Sequence, residues 1–440
     1  MAFHSEVIKE VEKLDEDTKK YLQMYADGFN EGLKIHGAPL EFKLFKYKPT
    51  PWKIEDSLAA IKIMSYIGLA QTQQEIEKLI IQMINNKVDL DKVRSLFSPH
   101  LDGLTNDQVK LIQKLNLFQT SVPKNVQFMS AVPKMLTSNN WVLSPEKTST
   151  NSAYQCNDPH LEVNRLPAIW YEFIAHTEDQ DYLGVNMPGV PGTIMGRNNN
   201  VSFGFTYGFM DLVDYFIEEV KDGKYKTASG FKKLEKRVET IRPKKSSPIH
   251  YTFYETENGI IEHDNKDIIA DGFYLARSWS GHKDGAKGSV ESLFKINAAK
   301  DVFELKEIVK EITISCNWLF SDDKGNIGYQ QSGQFPHRQH SGVHPVEGWI
   351  AENKWLGLRN KDDLAQIINP DCGFIATANN DMNQDGKPLS INMPMGSYRA
   401  DRISDLLTQK KEFSIEDMKR IQSDLYSNQA RDFMKLAQGF

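Results

Sequence analysis

The chain contains little cysteine. Its three cysteines, Cys156, Cys316 and Cys372, are widely spaced and odd in number, and no C-x-x-C pair occurs. Neither a zinc site nor a disulfide framework is therefore predicted. No apolar run is long enough to span a membrane, and the first residues turn acidic without an apolar signal core. A complete chain would be expected in the cytoplasm, whereas a chain lacking its natural N-terminus would be expected in the periplasm or outside the cell.

An excess of positive charge is also missing. The formal net charge is −6 at pH 7, which argues against nucleic acid as the main partner, because phosphate binding needs a basic face. The basic stretch at 232–245 is interspersed with acidic residues and is interpreted as a solvated face. Hydrophobic residues make up 40% of the chain and charged residues 25%, so a globular protein with a large core is predicted.

The common signatures of hydrolases and nucleotide-binding proteins are absent. The sequence has no G-x-S-x-G, no H-E-x-x-H, no Walker loop and no G-x-G-x-x-G. Three histidines, His337, His340 and His344, lie close together in a polar stretch. No carboxylate or cysteine completes a metal-binding set there, so a surface loop is predicted.

The hydrophobic pattern divides the chain into a helical first third and a strand-rich remainder. Apolar residues recur at helical spacing over 5–34, 55–67, 74–85 and 106–117. Short β-prone runs follow at 141–143, 201–207, 250–254 and 312–315, separated by turn residues. Further helices are predicted at 301–311, 362–368, 398–407 and 414–425. Strand runs with peripheral helices indicate an α+β protein with sheets covered by helices.

Ser138 is the first candidate for catalysis. It lies in Ser138-Asn139-Asn140-Trp141, and the simplest alternative is a hydroxyl that completes a turn. A serine hydroxyl needs an adjacent base at neutral pH, yet no Ser/His/Asp order is evident. A free α-amino group titrates near pH ~8 and can act as a base. Ser138 could supply its own base only if the peptide bond that precedes it were broken.

Several motifs, in this order, resemble those of the penicillin acylase (penicillin amidase) family of N-terminal-nucleophile hydrolases. The matching stretches are Pro51-Trp52 with Glu55-Asp56-Ser57-Leu58, Ser138-Asn139-Asn140-Trp141, Asn157-Asp158-Pro159-His160-Leu161, Trp170-Tyr171-Glu172, Pro188-Gly189-Val190-Pro191-Gly192, Asn317-Trp318 with Gly325-Asn326-Ile327-Gly328-Tyr329, Ile375-Ala376-Thr377-Ala378-Asn379-Asn380, and Tyr398-Arg399-Ala400-Asp401-Arg402. The resemblance implies a four-layer αββα sandwich, incomplete at both ends. It also implies a helical α-chain-like region (1–120), a spacer (121–137) and a catalytic β-chain-like region (138–440).

The resemblance assigns a role to each site residue. Ser138 would be both the self-cleaving residue and the nucleophile, with its freed amine as base. Asn379 and the main-chain N–H of Tyr207 would hold the oxyanion. His160 would orient the serine or its amine, and Arg402 would support the site electrostatically. The alternatives are a strand-end amide in a turn for Asn379 and a capping or structural histidine for His160.

A structural calcium ion is also implied by the resemblance. Its ligands would be the side chains or carbonyls of Glu75, Asp211, Val213, Asp214 and Pro336. Oxygen ligands of this kind suit calcium. Asp385 is the nearest candidate for a further aspartate. The alternative is a pair of surface aspartates at a strand end.

The resemblance implies an amidohydrolase that cleaves a linear N-acyl amide through an acyl-enzyme intermediate. The substrate would be a small molecule, and self-cleavage of a single precursor would leave an α/β-chain heterodimer. No membrane partner is expected. Family precursors are longer at both ends, so two alternatives stay open: a truncated, inactive fragment, and a calcium-stabilised module that binds N-acyl compounds without turnover.

Overall fold

The computed structural model describes residues 3–98, 100–117, 137–160, 169–264, 267–383 and 396–438. The first third is helical, as the periodicity predicts. A π-helical segment, Tyr66–Ala70, joins the fourth helix to the fifth. The helices of this part are α1 Phe3–Glu12, α2 Glu16–His36, α3 Leu40–Leu44, α4 Ile54–Ser65, α5 Gln71–Asn85, α6 Leu90–Phe97 and α7 Asn106–Ile112.

The first predicted helix, 5–34, is in fact two helices. Asp15 ends the continuity, because its side chain accepts a hydrogen bond from the Thr18 N–H and so caps α2. At the other end of α2, Gly37 has φ +73° and its N–H donates to the Leu33 carbonyl, a positive-φ ending that glycine adopts without steric cost.

Strands dominate the remainder of the described chain, with helices inserted between them. The strands are β1 Thr137–Leu143, β2 Tyr154–His160, β3 Tyr171–His176, β4 Asp181–Asn186, β5 Met195–Arg197, β6 Val201–Tyr207, β7 Val213–Lys221, β8 Lys224–Thr227, β9 Gly230–Lys233, β10 Glu235–Ile241, β11 Ile249–Thr256, β12 Gly259–Ile261, β13 Gly272–Trp279, β14 Cys316–Asp322, β15 Ile327–Ser332, β16 Val346–Glu347, β17 Gln366–Ile368 and β18 Phe374–Thr377. The helices are α8 Lys287–Ile296, α9 Val302–Val309, α10 Tyr398–Thr408, α11 Ile415–Gln422 and α12 Asn428–Ala437.

The strands form three sheets. A three-stranded sheet has the order β18-β1-β2, and a seven-stranded sheet has the order β17-β15-β14-β6-β5-β4-β3. The third sheet has the order β10-β11-β12-β13-β7-β8-β9, with β16 parallel to β7. The exposed strands β9 and β10 carry the basic stretch at 232–245, so this stretch is the solvated face that the sequence predicts.

The alternation of side chains along β14 shows how the layers stack. Leu319 packs with Val142 of β1 in one core cluster, whereas Trp318 and Phe320 point to the opposite face and pack with residues of α8 and α9. On the far side of the three-stranded sheet, Trp141 packs against α10 and α11. The order is therefore helix, three-stranded sheet, seven-stranded sheet, helix, which confirms the predicted α+β fold with its αββα layers.

Two further predicted elements are wrong. The strand expected at 312–315 begins at Cys316 instead. The helix expected at 362–368 is a short 3-10 turn, Lys361–Asp363, followed by β17. The cause in the second case is tertiary: β17 pairs with β15, with Ile368 opposite Gly328, and pairing of this kind overrides local preference.

The three histidines of the polar loop are not equally exposed. His337 is on the surface, His340 is half-buried, and His344 is only 4% exposed. The surface-loop prediction is therefore wrong for His344, whose burial lowers its pKa. None of the helices that the structure describes is long and apolar enough to cross a bilayer.

Candidate active site

Ser138 lies near the start of β1, the central strand of the three-stranded sheet. The residue is 6% exposed, and its side chain points between the two sheets. The Ser138 hydroxyl donates to the carbonyl oxygen of Thr137 at 2.8 Å. The main-chain N–H of Ser138 donates to Asn379 Oδ1 at 2.7 Å. The Ser138 hydroxyl therefore lies against the carbonyl of its own preceding peptide bond, and the nitrogen of that bond is held by Asn379.

Asn379 lies two residues beyond β18 in a left-handed conformation, with φ +66°, which asparagine tolerates better than most residues. Its Oδ1 accepts from the Ser138 N–H and from Arg399 Nη2, the latter at 3.0 Å. Its Nδ2 donates to the Tyr207 carbonyl at 2.8 Å. Because two donors face Oδ1 and an acceptor faces Nδ2, the network fixes the orientation of the amide.

Tyr207 ends β6 and turns its main chain toward Asn379. Gly208 donates its N–H to the Ser315 carbonyl at 3.0 Å, so the opposed residues Tyr207 and Cys316 are a non-hydrogen-bonded pair. Both main-chain groups of Tyr207 then point away from β14, on the edge where Asn379 contacts the carbonyl. The structure thus brings together Ser138, Asn379 and the main chain of Tyr207, as the resemblance implies. Burial raises the pKa of the Tyr207 phenol well above its ordinary value, so the ring is neutral.

His160 ends β2 opposite Thr137 rather than opposite Ser138. Since side chains alternate along a strand, Thr137 and His160 share one face of the sheet, and the Ser138 side chain lies on the other. His160 Nδ1 is 2.9 Å from Thr137 Oγ1, and Nε2 is 2.8 Å from Asp158 Oδ2. The predicted contact of His160 with the serine is therefore replaced by a contact with the residue before it.

Arg402 does not reach the site. Its guanidinium forms a two-bond pair with Asp424, at 3.0 Å from Nε and 2.7 Å from Nη2, and lies 4.7 Å from the centre of the Tyr426 ring. Arg399, one turn earlier on α10, occupies the expected place, with Nη1 at 2.8 Å from the Ser138 carbonyl. Arg399 therefore lies where Arg402 was predicted to lie, because Arg402 pairs with Asp424 instead.

Sequence reasoning also missed the residue that ties the two sheets together at the site. Asn157 of β2 donates from Nδ2 to the carbonyls of Asn139 (3.0 Å) and Phe205 (3.2 Å), and its Oδ1 accepts from the Phe205 N–H at 2.9 Å. A Cβ on Gly204 would lie 2.2 Å from that Oδ1. A glycine inside an otherwise bulky strand was the available signal, since it often marks such a close approach.

The aspartates expected to bind calcium face a positive charge instead. Asp211 and Asp214 are buried, and both pair with the buried guanidinium of Arg338; the Asp214 pair is at 3.4 Å from Nη1. Trp355 Nε1 also donates to Asp214. A buried guanidinium beside these carboxylates would repel a divalent cation, so the donor set as arranged does not fit calcium and no chemistry is assigned to a metal.

The other expected ligands do not complete an oxygen cage. Glu75 is exposed and accepts from Gln71 at 3.1 Å, Val213 begins β7, and Pro336 lies in an isolated bridge with Leu358. Asp385 lies outside the described residues. Within the described ranges, no group of three or more His, Cys, Asp or Glu side chains is arranged to hold a metal ion. Calcium binding stays a prediction.

The fold places the protein in a known structural class. The thermostable penicillin G acylase from Alcaligenes faecalis superposes with a TM-score of 0.57 at 22% sequence identity, over 69% of this chain and 56% of that chain. The layered sheets with a serine on the central strand therefore have the α+β fold of the N-terminal-nucleophile hydrolases.

The particular family follows from the sequence. The model of the penicillin amidase family matches residues 1–439, so the chain belongs to the penicillin amidase family, as its motifs predict. The acyl-homoserine lactone acylase QuiP of Pseudomonas aeruginosa is 26% identical over 433 residues, which cover 92% of this chain and 50% of that protein. The penicillin acylase 2 proenzyme of a Pseudomonas species (strain SE83) is 25% identical, over 95% of this chain and 55% of that protein. The chain thus spans about half the length of these relatives.

Proposed function

We propose that this chain cleaves its own backbone before Ser138 and then hydrolyses N-acyl amides with the exposed serine. The observation that carries the proposal is the 2.8 Å contact between the Ser138 hydroxyl and the Thr137 carbonyl oxygen, combined with the 2.7 Å hydrogen bond from the Ser138 N–H to Asn379. The attacking atom and the bond to be broken are held within one rigid strand. Such positioning is what converts a weak nucleophile into an effective one.

In the first step, Ser138 Oγ bonds to the Thr137 carbonyl carbon and the C–N bond breaks, so the peptide becomes an ester. The hydroxyl proton passes to the nitrogen, which becomes the free Ser138 amine. Water then hydrolyses the ester, releasing the Thr137 carboxyl group and restoring the hydroxyl. Arg399, whose guanidinium contacts the Ser138 carbonyl and Asn379 Oδ1, takes the supporting role expected of Arg402.

In the second step, the Ser138 amine accepts the hydroxyl proton while Oγ attacks the substrate carbonyl. The amine part of the substrate leaves with that proton, and water cleaves the acyl-enzyme. Asn379 Nδ2 and the Tyr207 N–H would hold the oxyanion, since the Tyr207 main chain lies on the edge of β6 that Asn379 Nδ2 contacts. Donors fixed where charge develops are worth roughly 3 kcal/mol each.

The substrate class is a small N-acyl compound. Relatives named penicillin acylase and acyl-homoserine lactone acylase support an acyl group bound through a linear amide and leave the amine part open. After cleavage the two pieces would stay together as an α/β heterodimer. The support is a single core cluster that joins Leu22 and Leu58 from before the cut to Phe203 and Tyr207 from after it.

Intact-mass spectrometry of the purified chain tests the proposal, with Ser138→Ala as the matched control. We expect two pieces, one ending at Thr137 and one beginning at Ser138, which elute together from a sizing column. Ser138→Ala should give the single mass of the uncut chain. A panel of penicillins and acyl-homoserine lactones then tests turnover. An uncut but folded original chain would refute self-cleavage, and cleaved protein without turnover on any N-acyl compound would refute the second step.

A further inference from the structure

Asp158 is placed to control His160. The two residues are two positions apart on β2, so their side chains share one face of the sheet. Asp158 Oδ2 lies 2.8 Å from His160 Nε2, and His160 Nδ1 lies 2.9 Å from Thr137 Oγ1. The three side chains form an unbroken chain of hydrogen bonds that ends on the residue before the proposed cleavage point.

We propose that Asp158 is a positioning residue, which fixes His160 in the Nε2–H tautomer and so keeps Nδ1 as an acceptor directed at Thr137. The inference rests on the proposed function only for its effect on cleavage, because the tautomer is a property of the uncut chain.

The chemistry of the groups dictates the tautomer. An ionised carboxylate can only accept, so the nitrogen facing it must carry the proton, and the other ring nitrogen of a neutral imidazole must then accept. The Thr137 hydroxyl can donate to that second nitrogen. A histidine held by a carboxylate in this way keeps one defined orientation and one defined basic atom.

The surroundings keep Asp158 ionised. Burial raises the pKa of this carboxyl, but hydrogen bonds from His160, Asn139 and Gln422, together with the charge interaction with His160, outweigh burial and lower the pKa below its ordinary value. The Asn139 contact is 3.3 Å from Nδ2. The guanidinium of Arg399, on α10, adds positive charge on the same side.

The arrangement bears on cleavage because it anchors Thr137. With its hydroxyl held by His160 on one face of β1, the Thr137 carbonyl is kept beside the Ser138 hydroxyl on the other. An asparagine at position 158 presents an amide that can donate to Nε2, which would stabilise the opposite tautomer and protonate Nδ1. The basic atom would then no longer face the cleavage point.

The tautomer is measured by ¹⁵N correlation spectra of histidine-labelled protein in the uncut Ser138→Ala background, with the His160 signals identified from His160→Gln. We expect Nε2–H to dominate, Asp158→Asn to shift the population toward Nδ1–H, and Asp158→Glu to restore it. Asp181→Asn is the matched control, because Asp181 pairs with His176 Nδ1 at 2.7 Å on the distant β3–β4 hairpin.

The cleavage arm uses the chain with Ser138 intact. We expect Asp158→Asn to slow formation of the two pieces at least tenfold and to alter its pH profile, with Asp158→Glu recovering most of the rate and Asp181→Asn unchanged. A His160 tautomer indifferent to Asp158→Asn in folded protein would overturn the proposal. If the original chain is never cut, the proposed function fails, and the tautomer spectra alone decide the role of Asp158.

Discussion

Replacing Arg399 by methionine removes the only guanidinium seen within hydrogen-bond distance of Ser138 among the described residues. Arg399 Nη1 donates to the Ser138 carbonyl at 2.8 Å and to Asn139 Oδ1 at 2.7 Å. Nη2 donates to the Ala378 carbonyl at 2.5 Å and to Asn379 Oδ1 at 3.0 Å. The side chain thereby connects β1 to the segment that carries Asn379, beyond the last paired residues of β1 and β18.

The expected loss of stability follows from these contacts. A hydrogen bond from a charged donor contributes about 1.5–3 kcal/mol, but bonds that share one group are not additive. Methionine keeps the apolar stem and removes the guanidinium donor from four acceptors, of which Asn379 Oδ1 keeps the Ser138 N–H. We therefore expect the free energy of unfolding to fall by about 3 kcal/mol for Arg399→Met. Arg402→Met is the matched control on the same helix: it loses one surface pair with Asp424, which is worth about 1 kcal/mol or less.

Urea unfolding in the uncut Ser138→Ala background measures the stability difference, and the rate of cleavage in the Ser138 chain measures the functional one. Arg399→Met should slow cleavage strongly, because Asn379 loses one of the two donors that orient its amide. Arg402→Met should affect both quantities much less. Equal losses for the two variants, or a larger loss for Arg402→Met, would refute the placement of Arg399 at the site.

Two further changes test the packing of the sheets. Burial raises the pKa of Glu218 from its ordinary 4.5 to about 7, although hydrogen bonds such as that from Asn258 oppose the shift; a carboxyl whose pKa is raised on folding contributes stability at low pH that is lost as pH rises through about 7. In the original chain, the unfolding free energy should therefore fall by about 3 kcal/mol between about pH 4.5 and 7.5. Glu218→Gln should abolish this fall, and an unchanged pH dependence of urea unfolding in the variant would contradict the prediction. Gly204→Ala should lower the melting temperature, at a cost of about 1–3 kcal/mol, because its Cβ would lie 2.2 Å from Asn157 Oδ1. Gly32→Ala, in α2 with open space around it, should instead raise stability by about 0.5–1 kcal/mol, and equal effects of the two alanines would rule out the close approach.

The family resemblance, rather than the hydrophobic pattern, indicated Ser138, Asn379 and Tyr207, and their catalytic roles stay predictions. Ser138 lies in β1 and Asn379 lies two residues beyond β18, and the pairing of these strands, with Asn140 opposite Thr377, brings the two residues together. Tyr207 ends a run whose bounds, 201–207, agree with β6. The β-prone pattern thus predicted where β6 lies, but not which residues β6 would bring close to Ser138.

The choice between two arginines could not be read in the same way. Arg399 and Arg402 are three residues apart on α10, so both lie on neighbouring parts of one helix face. Which of them reaches Ser138 depends on Asp424, which follows α11 and pairs with Arg402. That contact joins residues that are distant in sequence from the strand motifs, and no local sequence pattern predicts it. The same holds for Arg338, because the spacing of Asp211 and Asp214 does not predict that both pair with this arginine.

Asn379 connects the two proposed steps through one fixed amide. Its Oδ1 is held by two donors, the Ser138 N–H and Arg399, and cleavage before Ser138 converts the first donor into an amine that can still donate. The donors around Oδ1 therefore keep the amide in the same orientation after cleavage. Nδ2 stays on the side of the Tyr207 main chain, where it donates to the carbonyl in the uncut chain. An oxyanion needs a donor on that side, and exchanging the Tyr207 carbonyl for a more strongly negative oxygen is favourable. The geometry that holds the uncut peptide bond is therefore also the geometry that would receive the substrate, and self-cleavage would require no rearrangement of Asn379.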